Sequence, residues 1–218
     1  MHLRRLELAT RPLADQTSFY TRLLGADPLV ATDEGVEFAV GSSCLSFRQN
    51  DAPARYHFAF NIPENRFDDA RAWIQNFAPL IADGAGRTVF SSPGGWNAHI
   101  LYFVDPAGNI GELIARHKLD NADAAPFSGR SLLCVSEIGI AADDVRATGR
   151  ALCRQTGAEP YYGADEGTFM PIGDEHGLLI LVKQGRIWFP DTGVPALHLP
   201  LRVEIENEGR EIVLTFPR

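Results

Sequence analysis

The chain has 218 residues, 45% of them hydrophobic and 22% charged, with a formal net charge of −8. That is length enough to bury a core without covalent staples, while the acidic balance and the lack of a Lys/Arg cluster argue against a nucleic-acid surface. There is no run of about 18 apolar residues and no apolar stretch in MHLRRLELATRP, so the sequence gives no sign of membrane insertion or secretion. Cys44, Cys134 and Cys153 are odd in number and form no CxxC pair. They predict reduced thiols in a cytoplasmic protein rather than a disulfide frame or a zinc ribbon.

In chain order, the surroundings of Leu6 and Leu8 read as a strand. A helix follows, opened by Pro12, with Phe19, Leu23 and Leu24 at helical spacing and Gly25 placed to close it. GVEFAV and CLSF then read as strands hinged at Gly41-Ser42-Ser43. A second unit repeats that order. YHFAFNI is a strand, and RFDDARAWIQNFAPLI is an amphipathic helix with Phe67, Ala70, Trp73, Ile74 and Phe77 on one face. TVF, AHILYFV and NIGELIA are strands, the last two joined by Asp105-Pro106-Ala107-Gly108-Asn109. Residues 120–130, polar with Pro and Gly, read as a linker.

A third unit follows, with strand LLCVSEIGIA, helix DDVRATGRALCRQT, and strands EGTFMPI and GLLILV. It is a diverged copy of the first. Leu24-Gly25-Ala26-Asp27-Pro28 returns as Thr156-Gly157-Ala158-Glu159-Pro160, an offset of 132, and Glu34-Gly35 returns as Glu166-Gly167 at the same offset. His198-Leu199-Pro200-Leu201-Arg202-Val203 mirrors His57 to Ile62 and opens a fourth unit that has only one more strand, EIVLTF. Each unit is too small to bury its own sheet face, so units must pair. Units one and two are expected to pair. Unit three would be covered by the tail, by the first pair or by another subunit, which leans towards a homodimer. The expected organisation is a domain over 1–119, a linker over 120–130 and an incomplete second copy over 131–218.

The helix ending Phe19-Tyr20-Thr21-Arg22-Leu23-Leu24-Gly25, followed downstream by Asp105-Pro106-Ala107-Gly108-Asn109-Ile110-Gly111-Glu112-Leu113, resembles the vicinal oxygen chelate superfamily. That group includes glyoxalase I, bleomycin-resistance proteins, fosfomycin-resistance enzymes and extradiol dioxygenases. The resemblance covers about residues 1 to 118 well and 131 to 204 more weakly. It implies an α+β fold in which paired βαβββ modules form a cupped mixed sheet, here with an additional incomplete module.

The resemblance also implies a divalent metal (Fe, Mn, Ni or Zn) within the cup. Its carboxylate position falls on Glu112 and its fifth-strand histidine on His57. Its first-strand position falls on Arg5 and its fourth-strand position on Ser46, neither of which is a good ligand. Tyr102 falls where extradiol dioxygenases place an active-site tyrosine, so Tyr102 and Glu112 are the catalytic candidates. Arg5, Ser46, Trp96 and His99 are candidate substrate contacts. Arg5 could pair with Glu112 or hold an anionic substrate group. Trp96 could belong to a lid formed by residues 92–97. His99 could reach the metal only if its strand bulges, since residues 98, 100 and 102 share a face. Glu137 and His198 would fill two ligand positions of a second, incomplete cup. Arg116-His117-Lys118 reads as solvent-facing.

Two functions stand foremost at this level, with a third, an empty cup in a chain that serves assembly, favoured only by the truncated second copy. One is a metal enzyme of glyoxalase or dioxygenase type, acting as lyase, isomerase or ring-cleaving dioxygenase on a small oxygenated substrate. The other is a metal-free small-molecule binder of bleomycin-resistance type, which Arg5 in a ligand position favours.

Overall fold

A computed structural model describes every residue except Pro93, Glu166 and Arg218. Pro93 of the expected lid and the repeat landmark Glu166 therefore lie outside the described residues. The first unit comprises β1 (His2–Thr10), α1 (Leu13–Leu24), β2 (Val30–Ala31), β3 (Gly35–Val40) and β4 (Ser43–Gln49). The second comprises β5 (His57–Ile62), α2 (Phe67–Ile74), β6 (Phe90–Ser92), β7 (Ala98–Val104) and β8 (Ile110–Arg116). The third comprises β9 (Cys134–Ala142), α3 (Val145–Thr156), β10 (Phe169–Asp174) and β11 (Gly177–Lys183), and the tail adds β12 (Leu201–Asn207) and β13 (Arg210–Phe216).

The fold is α+β, with repeated βαβββ units forming two sheets. The helix ends follow local chemistry. Gly25 closes α1 in the left-handed conformation (φ 62°), and Gly157 does the same for α3 (φ 72°). Asp144 caps α3 by accepting from the Ala147 N–H at 2.9 Å. The second helix is shorter than its apolar pattern predicts. It ends at Ile74, where the Asn76 side chain donates to the carbonyls of Ala72 and Trp73 and Pro79 prevents a further turn.

The pairing of units differs from the expected one. One sheet runs β13-β12-β1-β4-β3-β2 and the other β10-β11-β9-β5-β8-β7-β6. The first unit is therefore extended by the tail, through antiparallel β1 and β12 with Arg5 opposite Glu204. The second unit joins the third, through antiparallel β5 and β9. Both sheets thus take strands from each side of residues 120–130. With unit three covered in this way, its open face no longer argues for a second subunit.

One large apolar cluster spans both sheets and the three helices, with Leu6, Phe47, Phe58, Phe60, Leu152 and Leu181 among its members. The opposite face of the seven-stranded sheet carries a smaller cluster including Ala59, Ile100, Tyr102, Ile114, Ile180 and Trp188. Strand alternation produces this division. Along β5, Phe58, Phe60 and Ile62 enter the large core, while His57, Ala59 and Asn61 face the other way.

Two sequence signatures meet in a buried knot. Asp105, at the turn between β7 and β8, accepts from Gln16 Nε2 at 2.7 Å, Tyr20 Oη at 3.1 Å and Asn109 Nδ2 at 2.8 Å. Its other oxygen accepts the N–H groups of Ala107 and Asn109. The turn is thereby tied to α1 of the preceding unit.

Candidate functional site

The two sheet registers that meet at β5 bring the chemistry together. Ala59 lies directly opposite Glu112 on β8 and opposite Glu137 on β9. Two inter-strand spacings separate those carboxylate-bearing backbones by roughly 10 Å. The small methyl of Ala59 leaves the room between them, and His57 precedes it by two residues on the same face. A bulge on β9 accompanies this register, because Ala59 pairs with Glu137 while Phe60 pairs with Val135. Bulges re-aim side chains in this way.

The resulting recess has a volume of about 730 Å³. His57, Tyr102, Glu112 and Glu137 form its polar part, and Phe90, Ile180, Val182, Trp188 and Phe189 supply apolar wall. His57 Nε2 is 3.0 Å from Glu112 Oε2, and its Nδ1 is buried without a hydrogen-bond partner among the described residues. Tyr102 lies directly across from Glu112 on β7. Burial, then the charges of Glu112 and Glu137, hold its hydroxyl well above the usual phenol range. Burial, reinforced by Glu112, pushes the Glu137 carboxyl up to about 7, although Arg116 pulls the other way.

Arg116 lies behind Glu137 and does not itself line the recess. Alternation along β8 puts Ile110, Glu112, Ile114 and Arg116 on one face, and the Arg116 side chain is 0% exposed. Its Nη2 donates to Glu137 Oε1, its Nε donates to Asn61 Oδ1 at 3.1 Å, and the Trp96 ring lies over it at 5.6 Å. The solvent-facing reading of Arg116 is thus overturned.

Of the residues singled out from sequence, His57, Glu112, Tyr102 and Trp96 line this recess. Arg5 and Ser46 do not, because both belong to the other sheet. Arg5 pairs with Glu37 at 2.9 Å and Glu204 at 3.8 Å, so it cannot neutralise Glu112. Ser46 is fully buried, and its Oγ has no hydrogen-bond partner among the described residues. His99 is exposed at the end of the β7 face opposite Tyr102, the face that carries Leu101 and Phe103 into the large core; its Nδ1 is 2.7 Å from His117 Nε2 and its ring meets Phe67. Glu137 stands with His57 and Glu112 rather than with His198. The latter precedes β12 in a loop, 3.4 Å from Asp143 and outside the recess.

Arg116, Trp188 and Phe189 are site residues that sequence reasoning missed, and Glu137 is one that it places in another cup. Glu137 and Arg116 carried a usable signal. Glu137 stands at the 132-residue offset from Arg5, and Arg116 has the parity of Glu112. Trp188 and Phe189 follow β11 in a loop without periodicity, so their place is set only by packing, Trp188 against the His57 ring at 4.9 Å and Phe189 against Phe90 at 4.9 Å.

One imidazole and two carboxylates make a suitable donor set for a divalent cation such as Mn(II) or Fe(II). The 3.0 Å between His57 Nε2 and Glu112 Oε2 matches adjacent ligand atoms at ~2.1 Å from one cation. Glu137 is turned to Arg116, and among the described residues no three His, Cys, Asp or Glu groups stand together as a complete metal site. The donors therefore fit a divalent cation in identity, while only His57 and Glu112 stand within ligand spacing of one another.

This arrangement, a recess on a sheet built from paired βαβββ units with histidine and carboxylates on adjoining strands, defines a class of cupped-sheet proteins. No family model matches the chain. The metallothiol transferase FosB of Staphylococcus saprophyticus subsp. saprophyticus is 30% identical over 108 residues, which are 46% of this chain and 68% of that protein. A presumed dioxygenase from Bacillus subtilis superposes with a TM-score of 0.60 at 15% identity, over 84% of this chain and 63% of that one. This chain thus spans under two thirds of the dioxygenase's length. A V278E mutant of glyoxalase I from Zea mays superposes with a TM-score of 0.55 at 16% identity, over 84% of this chain and 67% of that one. The chain belongs to the vicinal oxygen chelate superfamily. No helix among the described residues is long and apolar enough to cross a membrane.

Proposed function

We propose that the chain is an enzyme whose reaction centre is the recess over β5, β8 and β9. A divalent cation held there by His57, Glu112 and Glu137 would engage a small substrate with oxygen donors and an apolar body. The observation that carries this reading is the convergence of the three donors around Ala59. The relatives named metallothiol transferases support metal chemistry in a protein of this family.

When bound, the cation supplies Lewis acidity at the substrate oxygens. The chain's own residues do the rest. Tyr102 keeps its proton through the neutral range and donates a hydrogen bond beside Glu112. Glu137, whose carboxyl is held high by burial and by Glu112 in the metal-free chain, would be drawn to its ionised form by the cation and serve as a ligand. Trp188, Phe189 and Phe90 exclude water from one side of the recess. Substrate orientation then comes from apolar packing against this wall, with the oxygens directed at the polar floor.

The ion pair between Arg116 and Glu137 favours a second reading, a metal-free cup that binds a small organic molecule. Titrating chelator-treated protein with Fe(II), Mn(II), Ni(II) and Zn(II) separates the two. The enzyme reading expects one equivalent bound, and that binding lost in His57→Ala and Glu112→Gln. No uptake of any of the four would leave the metal-free reading.

A further inference from the structure

Arg116 is placed and paired unlike a structural arginine. It is wholly buried, and a buried guanidinium normally spends its donors on fixed partners. Here Nε is used on Asn61 and Nη2 on a single oxygen of Glu137, while Nη1 is buried with no hydrogen-bond partner among the described residues. Glu137 therefore holds the guanidinium through one nitrogen only. A carboxylate can instead bridge two nitrogens of the fork, a stronger and more directional contact. Glu137 itself lines the recess, so the pair is approached from the side where a substrate sits. The cover over the guanidinium is Trp96, half-buried on the segment following Gly94 and Gly95.

We propose that Arg116 is the anion-recognising residue of the recess and competes for Glu137: a substrate carboxylate takes over the guanidinium, and Glu137 is released towards His57 and Glu112. The substrate class is then a monocarboxylate whose body is aromatic or branched, matching Phe90, Ile180, Val182, Trp188 and Phe189. Release of Glu137 completes the donor set only when such an anion is present, so anion and cation each favour the other's binding. This coupling rests on the reading of the recess given above. Recognition of the anion by Arg116 does not need the cation.

The test uses benzoate and Mn(II), titrated calorimetrically into chelator-treated wild type, Arg116→Met, Glu137→Gln and the double variant Arg116→Met/Glu137→Gln. Removing Glu137's competition should tighten benzoate binding by about tenfold in Glu137→Gln, the order expected for a charge-assisted bidentate contact. Arg116→Met should weaken it by at least as much. In wild type, benzoate and Mn(II) should strengthen one another by equal factors. In Arg116→Met, Mn(II) binding should ignore benzoate. Should Arg116→Met fail to fold because Glu137 is left buried and unpaired, the double variant carries neither charge and should fold without binding benzoate. Benzoate binding that survives in either Arg116 variant, that weakens in Glu137→Gln, or that is absent from both wild type and Glu137→Gln would overturn the proposal. If no protein takes up Mn(II) while benzoate binding still follows Arg116, the cation reading fails and the anion assignment stands.

Discussion

Replacing Glu137 by Gln should change how stability depends on pH in a direction opposite to the usual salt-bridged carboxylate. Burial and the neighbouring Glu112 raise the Glu137 carboxyl from an ordinary 4.5 to about 7 in the folded chain. Below about 4.5 the group is protonated in both folded and unfolded states and contributes nothing. As pH rises towards 7 the unfolded chain loses this proton and the folded chain keeps it, so the unfolded state binds fewer protons and stability falls. Above 7 the loss is complete. At about 1.4 kcal/mol per pH unit, it reaches at most roughly 3–4 kcal/mol. The attraction of Arg116 is already inside that figure, so this buried ion pair does not recover the desolvation of its members. Gln is close in shape to the protonated acid and has no such titration. Urea unfolding of metal-free wild type and Glu137→Gln, from about pH 4 to 8, should give similar stabilities at the acid end and an advantage for the variant that grows through about pH 5 to 7. A constant difference across the range would refute the reasoning. A growing advantage for wild type would show that the Arg116–Glu137 pair is net stabilising when ionised.

Other substitutions probe the frame and the corrected map of the site. Asp105→Ala strips acceptors from Gln16, Tyr20 and Asn109 in the knot between α1 and the β7–β8 turn, and should cost about 3–5 kcal/mol in urea unfolding. Gly139→Val should displace Trp188, because a Cβ at this position would lie 2.4 Å from the indole; the expected loss is about 1–3 kcal/mol, with a change in tryptophan emission. Arg5→Ala breaks partly exposed ion pairs with Glu37 and Glu204, so it should cost about 0–1 kcal/mol and leave Mn(II) and benzoate titrations unchanged.

The sequence revealed the units themselves because each landmark is local. Gly25 and Gly157 close helices, Asp105 to Asn109 make a turn, and alternation distinguishes core from recess along β5, β7 and β8. Which units share a sheet is not local. Nothing in β1 states that its edge takes β12 rather than β5, so sequence reasoning puts Arg5 in the same cup as Glu112 when it lies opposite Glu204. That exchange moves Glu137 from an incomplete second cup into the recess. Parity from Glu112 to Arg116 was visible, but a charged residue followed by His117 and Lys118 resembles a solvated strand end. Only the partner across the sheet, Glu137, explains why Arg116 is buried.

If the reaction centre lies between the second and third units, around Ala59, an anomalous-difference map from crystals equilibrated with Mn(II) and benzoate will locate the cation there. One strong peak is expected within bonding distance of His57 Nε2 and of carboxylate oxygens from Glu112 and Glu137. A peak elsewhere, on the sheet that carries Arg5 and Ser46 or at the His99–His117 pair, or no peak at saturating Mn(II), would contradict that placement.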